Sequence, residues 1–570
     1  MRKPFSWLGT LFLALPVAAQ TGSVTRSVDV SVTNVDVVVT DSAGKPITDL
    51  SSADFEVRQD GKLQPITNFS FIRNAPSPPT PAPAAMPEAA GPPVAPVEPA
   101  PPPAARAHLI VFLDELHLTT ASRNGAIRSL KEYLPTVVGP NVEVQLVTWD
   151  RALRIRGPFT NEKPVLGSML SQLESEVALG DVPVRQRTDL LRQIDQAYIA
   201  DARTTAELLN NIVSEMRSWA DSQAADVDAT ADAVRVALSS VAGVDGRKIL
   251  FFVTERFTPY PARDMFEYLQ YGRMSAGIGG RTSLRGVNDL TWKDWDRLSS
   301  FRSITVAANV AGVSLVTIDA SGLTFDDTMS PEVGSGYGGR LDSGMAAGDM
   351  QTAMGLLAEE TGGATIQGRN NLALALKGLE ADWMAYYSLG YESPDAKPGA
   401  PRSLRVTVHR PGARLRTRRA VIERTTEQKV SDAVLAGAYI PHLINPLRAS
   451  LHIGYPKKSG SMWIVPLEFT IPFDRLTLVP EGGRAKGAVL FTAVSATPDG
   501  RISPVTMQRA PLDIPESQLG TLAGKTFVYS AQLRVRAGPQ TFSTAVTDEV
   551  SHLTSFVQPH VVIPDKQAKR

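Results

Sequence analysis

The chain contains no cysteine. That excludes disulfides, thiolate zinc sites, iron–sulfur clusters, a cysteine nucleophile and a lipid-modified N-terminal cysteine together. A surplus of either charge is also missing: 58 Lys and Arg stand against 58 Asp and Glu. Nothing in that balance points to nucleic acid, which needs an excess of basic side chains on some face. Histidine is scarce, at seven residues, and no His-Glu-x-x-His run occurs, so His117 is a lone histidine without zinc-ligand spacing. Neither the glycine-lysine phosphate loop nor the Gly-x-Ser-x-Gly hydrolase elbow is found. Beyond the first twenty residues no apolar run is long enough to cross a bilayer.

What is present begins with "MRKPFSWLGTLFLALPVAAQ". Arg2 and Lys3 precede an apolar core from Trp7 to Val17, followed by small residues Ala18 and Ala19. This layout predicts a secretory signal peptide over residues 1–19. The mature protein is therefore expected to be exported, periplasmic or extracellular, with no transmembrane segment. At 570 residues the chain is too long for one core, and several domains are expected.

Val28 to Val39, "VDVSVTNVDVVV", alternates valine with polar residues, as a strand with one buried face does. Asp60-Gly61 signals a hairpin. A small β module is expected over residues 27–74. Residues 75–105 are nearly all proline and alanine and read as an extended linker. From residue 106 the rhythm changes. "AHLIVFLDE", "VEVQLVTWD", "RKILFFVTE" and "VSLVTIDAS" are apolar strands separated by helical patterns, with "MAYYSLGYES" as a final strand. Such alternation predicts an α/β fold with a doubly wound, mostly parallel sheet over 106–425. A helical insertion is expected at 181–241 and a trailing β pair at 403–423. Repeated short strands over 430–565 predict an antiparallel β-sandwich.

The order of "VVVTDSAGKPITDLSSADFEVRQDGK", "LIVFLDELHLT", "GRKILFFVTERF", "LAEETGGATI" and "AYYSLGYESP" resembles the VWFA-related exported proteins of Acidobacteria-like bacteria. These are built on a von Willebrand factor A-like domain, and the resemblance covers Val28 to Ala420. It implies a fold and a binding habit rather than an activity. It further implies a metal site at the end of the first parallel strand, with the pattern Asp-x-Ser-x-Ser, a loop Thr and a later Asp. Those oxygens would hold Mg²⁺, Ca²⁺ or Mn²⁺.

Asp114 matches the first Asp of that pattern, but Leu116 and Leu118 stand where the hydroxyls should be. Glu255, followed by Arg256, replaces the later Asp. The loop Thr has no clear counterpart; Thr188 with Asp189, or Thr204, could supply it. The expected site residues are Asp114, Glu115, Thr119 and Glu255, a degenerate and incomplete set. Three readings stay open. The carboxylates could still hold Ca²⁺ or Mg²⁺, Arg256 could pair with Asp114 or Glu115, or the strand end could be plain solvated surface.

Other features read as structure. The glycines of Gly277–Gly286 and Gly334–Gly339 lack the strand-to-helix context of a dinucleotide loop and are expected to be surface loop. Trp292 and Trp295 are expected in packing, with partner docking as the alternative. Together these features predict a non-enzymatic exported module that binds a protein in the envelope or outside the cell through the top of the sheet. An exported hydrolase and a purely architectural protein are the alternatives.

Overall fold

The computed structural model describes residues 32–73, 107–176, 178–199, 202–244, 246–275, 292–322, 341–369, 371–380, 385–393, 399–438, 445–498, 501–522 and 524–564. The expected signal peptide, the Pro/Ala linker and both glycine-rich stretches lie outside these residues. The fold is mixed α/β with several sheets.

Strands β1 (Val32–Thr40), β2 (Phe55–Gln59), β3 (Lys62–Gln64) and β4 (Ile66–Arg73) precede the central unit. That unit runs β5 (Ala107–Asp114), α1 (Thr120–Val137), β6 (Val142–Trp149), β7 (Leu153–Ile155), α2 (Lys163–Glu174), α3 (Asp181–Ile199) and α4 (Ala202–Ser240). It continues with β8 (Arg247–Thr254), α5 (Arg263–Ser275), α6 (Leu298–Ala311), β9 (Val313–Asp319), α7 (Leu341–Thr361), β10 (Ala364–Ile366) and α8 (Leu372–Leu379). Its six-stranded sheet has the order β10-β9-β8-β5-β6-β7. All neighbours are parallel except the edge strand β7, which is antiparallel to β6.

Every residue of β5 and β8 is buried, which is why their middles, residues 109–113 and 249–253, read as unbroken apolar runs. Alternation divides β5 between two cores. Leu109, Val111 and Leu113 pack with α1, α2 and α8 on one face. Ile110 and Phe112 pack with α4, α6 and α7 on the other. Helix α4, at 39 residues, is about 58 Å long at 1.5 Å per residue. Its second half covers the sheet, while its first half forms a separate core with α3, α5 and Trp295.

Strand β11 (Ala385–Glu392) corrects one expectation. "MAYYSLGYES" does not join the parallel sheet; β11 pairs antiparallel with β1 and β4. With β12 (Pro401–Val408), β13 (Arg414–Arg416) and β14 (Ala420–Ile422) it makes two four-stranded sheets, β13-β1-β11-β4 and β14-β12-β2-β3. Val35, Val37, Phe55, Val57, Tyr387, Leu389 and Val406 share one core between them. The N-terminal strands therefore do not stand alone over 27–74, since they close on strands that follow the central unit. The reason is burial: each carries one apolar face, and so few strands cannot cover those faces by themselves. Tyr387 locks the join, its hydroxyl donating to Ile47 O at 3.0 Å and accepting from Leu50 N at 3.1 Å.

Helix α9 (Thr426–Gly437) leads to the C-terminal strands β15 (Ser450–Ile453), β16 (Lys457–Ser459), β17 (Met462–Pro472), β18 (Val479–Glu481), β19 (Arg484–Ala496), β20 (Thr506–Pro515), β21 (Thr526–Val535), β22 (Gly538–Asp548), β23 (Thr554–Val557) and β24 (His560–Ile563). They form two antiparallel sheets, one around β17 and one around β19 and β22. Trp463, Val465, Phe469, Phe491, Phe542 and Val546 fill the core between them. Among the described residues no helix is long and apolar enough to cross a membrane.

Candidate functional site

Strand β5 passes through α1 to β6 on one side, whereas β8 passes to β9 on the other. The direction of winding therefore reverses between the C-terminal ends of β5 and β8. In open α/β sheets this crevice is where ligands bind. Asp114 closes β5, Thr254 closes β8 and Asp319 closes β9. Glu255 follows Thr254 directly. Three carboxylates from adjacent strands therefore stand along one edge.

Each of these acids is engaged from within the chain. Fully buried Asp114 accepts from Thr254 Oγ1 at 2.7 Å, and its Oδ2 meets His117 Nδ1 at 2.8 Å. Glu255 Oε2 accepts from Thr119 twice, from the hydroxyl at 2.8 Å and from the main-chain N–H at 3.1 Å. That contact ties the loop after β5 to the loop after β8. Thr119 also caps α1, its hydroxyl oxygen accepting from Ser122 N at 3.3 Å. Asp319 accepts from Ser321, from the hydroxyl at 2.6 Å and the amide at 3.0 Å. Glu115 turns away from this edge to Arg123 on α1, at 3.3 Å, and both are almost wholly buried.

A neighbouring segment clamps the Glu115–Thr119 loop. Leu179 N donates to Glu115 O at 2.9 Å and Gly180 N to Leu118 O at 3.1 Å. A Cβ on Gly180 would lie 2.5 Å from Leu118 O, so only glycine permits the approach. Asp181 receives the Thr120 hydroxyl at 2.5 Å.

Burial sets the electrostatics. It pushes Glu115 up to about 7, against the pull of the Arg123 guanidinium and its hydrogen bond. Burial pulls His117 down, but the Asp114 carboxylate, its hydrogen bond and Asp226 outweigh it and leave the imidazole above its ordinary value. Asp319 is raised by burial and by the charge of Glu255, although the Ser321 bonds and Arg256 oppose this. Asp114 Oδ1, Glu115 Oε1 and His117 Nε2 are buried with no hydrogen-bond partner among the described residues.

The four expected site residues are thus neighbours in sequence or across the crevice, but they do not face a common point. Glu115 serves Arg123, while Glu255 and Thr119 serve each other. Leu116 and Leu118, where hydroxyls are implied, are buried. Among the described residues no three His, Asp or Glu side chains are gathered as a metal-holding group. This donor set does not fit a hard-cation shell, which needs six or more oxygens around one point for Ca²⁺. Thr188 and Asp189 lie on α3, occupied with Val184 O and Arg192; Thr204 falls on α4. Ion pairs join Glu115 to Arg123, Asp114 to His117, and Arg256 to Glu255 at 3.9 Å.

Three participants were not singled out in the sequence: Arg123, Thr254 as a donor, and Asp319. Arg123 had a signal. It falls on the same helical stripe as Ile127, Leu130 and Leu134, so its burial follows from spacing. Trp295 is buried, donates from its indole to Asp221 at 2.8 Å and stacks on Phe266, whereas Trp292 donates to Glu267 at 3.2 Å.

No family model matches the chain, and no curated protein matches it. Solved structures resemble parts of it. An X-ray structure of a structural genomics consortium target is 12% identical, covering 23% of this chain and 95% of its own, with a TM-score of 0.16. A β-glucuronidase of Bacteroides uniformis is 13% identical over 31% of this chain and 19% of its own, with a TM-score of 0.15. At those scores the likeness says nothing about the overall fold or about activity.

Proposed function

We propose that this chain is an exported, non-enzymatic module that docks a protein through the crevice between the ends of β5 and β8. In this reading the central unit is a von Willebrand A-like domain with a degenerate metal site. Its doubly wound character is supported by the reversal of strand order between β5 and β8 and by helices on both faces. The observation that carries the proposal is the Thr119–Glu255 tie across that crevice. It joins the loops after β5 and β8 directly through side chains, and in this reading docking proceeds without a metal.

The pairing of Asp114 with His117 bears on the hydrolase alternative. An Asp–His pair supplies a general base and the carboxylate that orients it, and still needs a nucleophile beside the base. Here His117 Nε2 meets no hydroxyl among the described residues, and the Phe257 ring lies edge-on to the imidazole at 5.5 Å. That favours binding over catalysis. The test is site-directed photo-cross-linking in an exporting cell. The reactive side chain goes at exposed Ala121 beside the crevice, with exposed Leu63 on β3 as control. A discrete protein adduct from Ala121 alone is expected. Matching adducts from both positions, or none from Ala121, would refute the proposal.

A further inference from the structure

Charge is balanced over the whole chain but not along it. Residues 402–424 hold eight arginines and a single carboxylate, Glu423. The segment meets the turn between α7 and β10, where Arg419 N donates to Glu360 O at 3.1 Å just ahead of the N-terminal end of β10. Two cavities border it, one of about 310 Å³ along Arg418 and residues 421–424 and a larger one of about 990 Å³. The larger is lined by Arg58, Arg405, Arg416 and Arg419, with Glu359 the one acid on its wall.

Two observations set these arginines apart from ordinary surface charge. Arg58 and Arg405 are directly opposite in the β2–β12 pairing. Like charges in that position repel, and a sheet does not place them there without cost. Arg58 has local relief from Glu56 at 2.5 Å, and Arg419 reaches Glu359 at 3.0 Å and Glu360 at 3.3 Å. The exposed side chain of Arg405 makes neither an ion pair nor a hydrogen bond among the described residues. The second observation is the shape of the wall. Gly362 and Gly363 let the α7–β10 turn press against its neighbours: a Cβ would lie 2.5 Å from Thr417 C at the first and 1.8 Å from Leu315 O at the second. This close packing holds the Arg416–Arg419 segment against Glu359, so the cavity has a fixed side.

We propose that this cavity binds a small multivalent oxyanion, either a polycarboxylate or a phosphate ester. Guanidinium groups suit both, because their paired N–H donors match the spacing of carboxylate and phosphate oxygens. A volume of about 990 Å³ is that of a small-molecule site rather than of a macromolecular groove. The ligand would neutralise the Arg58–Arg405 pair, and binding would therefore rest most heavily on Arg405.

The test is isothermal titration of the full-length protein with citrate and, separately, with pyrophosphate, at constant ionic strength. At least one probe is expected to bind at one site per chain with a submillimolar Kd. Citrate alone would identify a polycarboxylate ligand, and pyrophosphate alone a phosphate ester. Arg405→Gln is expected to weaken binding about tenfold, the loss of one charge-assisted contact. Because it relieves repulsion, the same variant should fold at least as stably as the parent without ligand. Arg414→Gln, exposed and outside the cavity wall, should change affinity less than about twofold, as a long-range screened charge does. The proposal is overturned if neither probe binds below about 10 mM, a free energy too weak for a built site. It is equally overturned if Arg405→Gln binds like the parent, or if Arg414→Gln weakens binding as much as Arg405→Gln.

Discussion

Replacing Glu115 by glutamine removes a buried carboxylate while keeping its shape. In the folded chain burial raises this group from 4.5 to about 7. The folded protein therefore holds more protons than the unfolded chain between those values. Its stability is fully present below pH 4.5, falls as pH rises through 7 and is flat above. At about 1.4 kcal/mol per pH unit, the loss across that window is about 3 kcal/mol. Glutamine does not titrate, so its stability curve should lack this component. His117, also raised, loses stability as pH rises too, but it is present in both proteins and cancels in the difference. Urea unfolding from pH 5 to pH 8 reads the effect. The parent should lose stability relative to Glu115→Gln as pH rises. A companion, Arg123→Met, strands the carboxylate and should cost about 3–5 kcal/mol at pH 8 and less at pH 5. Parallel curves for parent and Glu115→Gln would refute the assignment of a neutral-leaning buried acid.

Other outcomes follow from single contacts. Thr119→Val removes both the α1 cap and the hydroxyl tie to Glu255, and should cost about 1–2 kcal/mol in denaturant unfolding. Gly363→Ala places a Cβ 1.8 Å from Leu315 O, so it should fail to fold or melt far below the parent, at a cost above about 3 kcal/mol. Tyr387→Phe removes the bonds to Ile47 and Leu50 and should cost about 1 kcal/mol, read by thermal unfolding. Residues 27–74 expressed alone should show the circular dichroism of an unfolded chain, because their strand partners follow the central unit. Calorimetric titration of Ca²⁺, Mg²⁺ and Mn²⁺ into the full chain should show no heat that Asp114→Ala removes.

The central strands were legible because burial on both faces leaves an unbroken apolar run, as in residues 109–113 and 249–253. Strand β1 was legible as a strand, but its partner was not. Alternation shows that a face is buried without showing what covers it. Proximity in sequence favours pairing Tyr387 and its neighbours on β11 with the central sheet, since consecutive elements usually pair; β11 instead returns past the whole central unit to β1 and β4. At the candidate site, Asp114 and Glu255 could be placed from the strand ends that precede them. Their partners could not, because Thr254, His117 and Thr119 owe their roles to side-chain directions that spacing does not fix. Asp319 had the same signal as Asp114, a carboxylate ending an apolar strand, and could have been found by applying it to every strand of the sheet.

The most direct measurement of the central claim is the Ala121 cross-linking repeated in excess chelator and in Ca²⁺. If the Thr119–Glu255 contact takes the place of a cation, the same adduct should form with equal yield in both. An adduct that needs Ca²⁺, or one that disappears in chelator and in Asp114→Ala alike, would contradict a metal-free crevice.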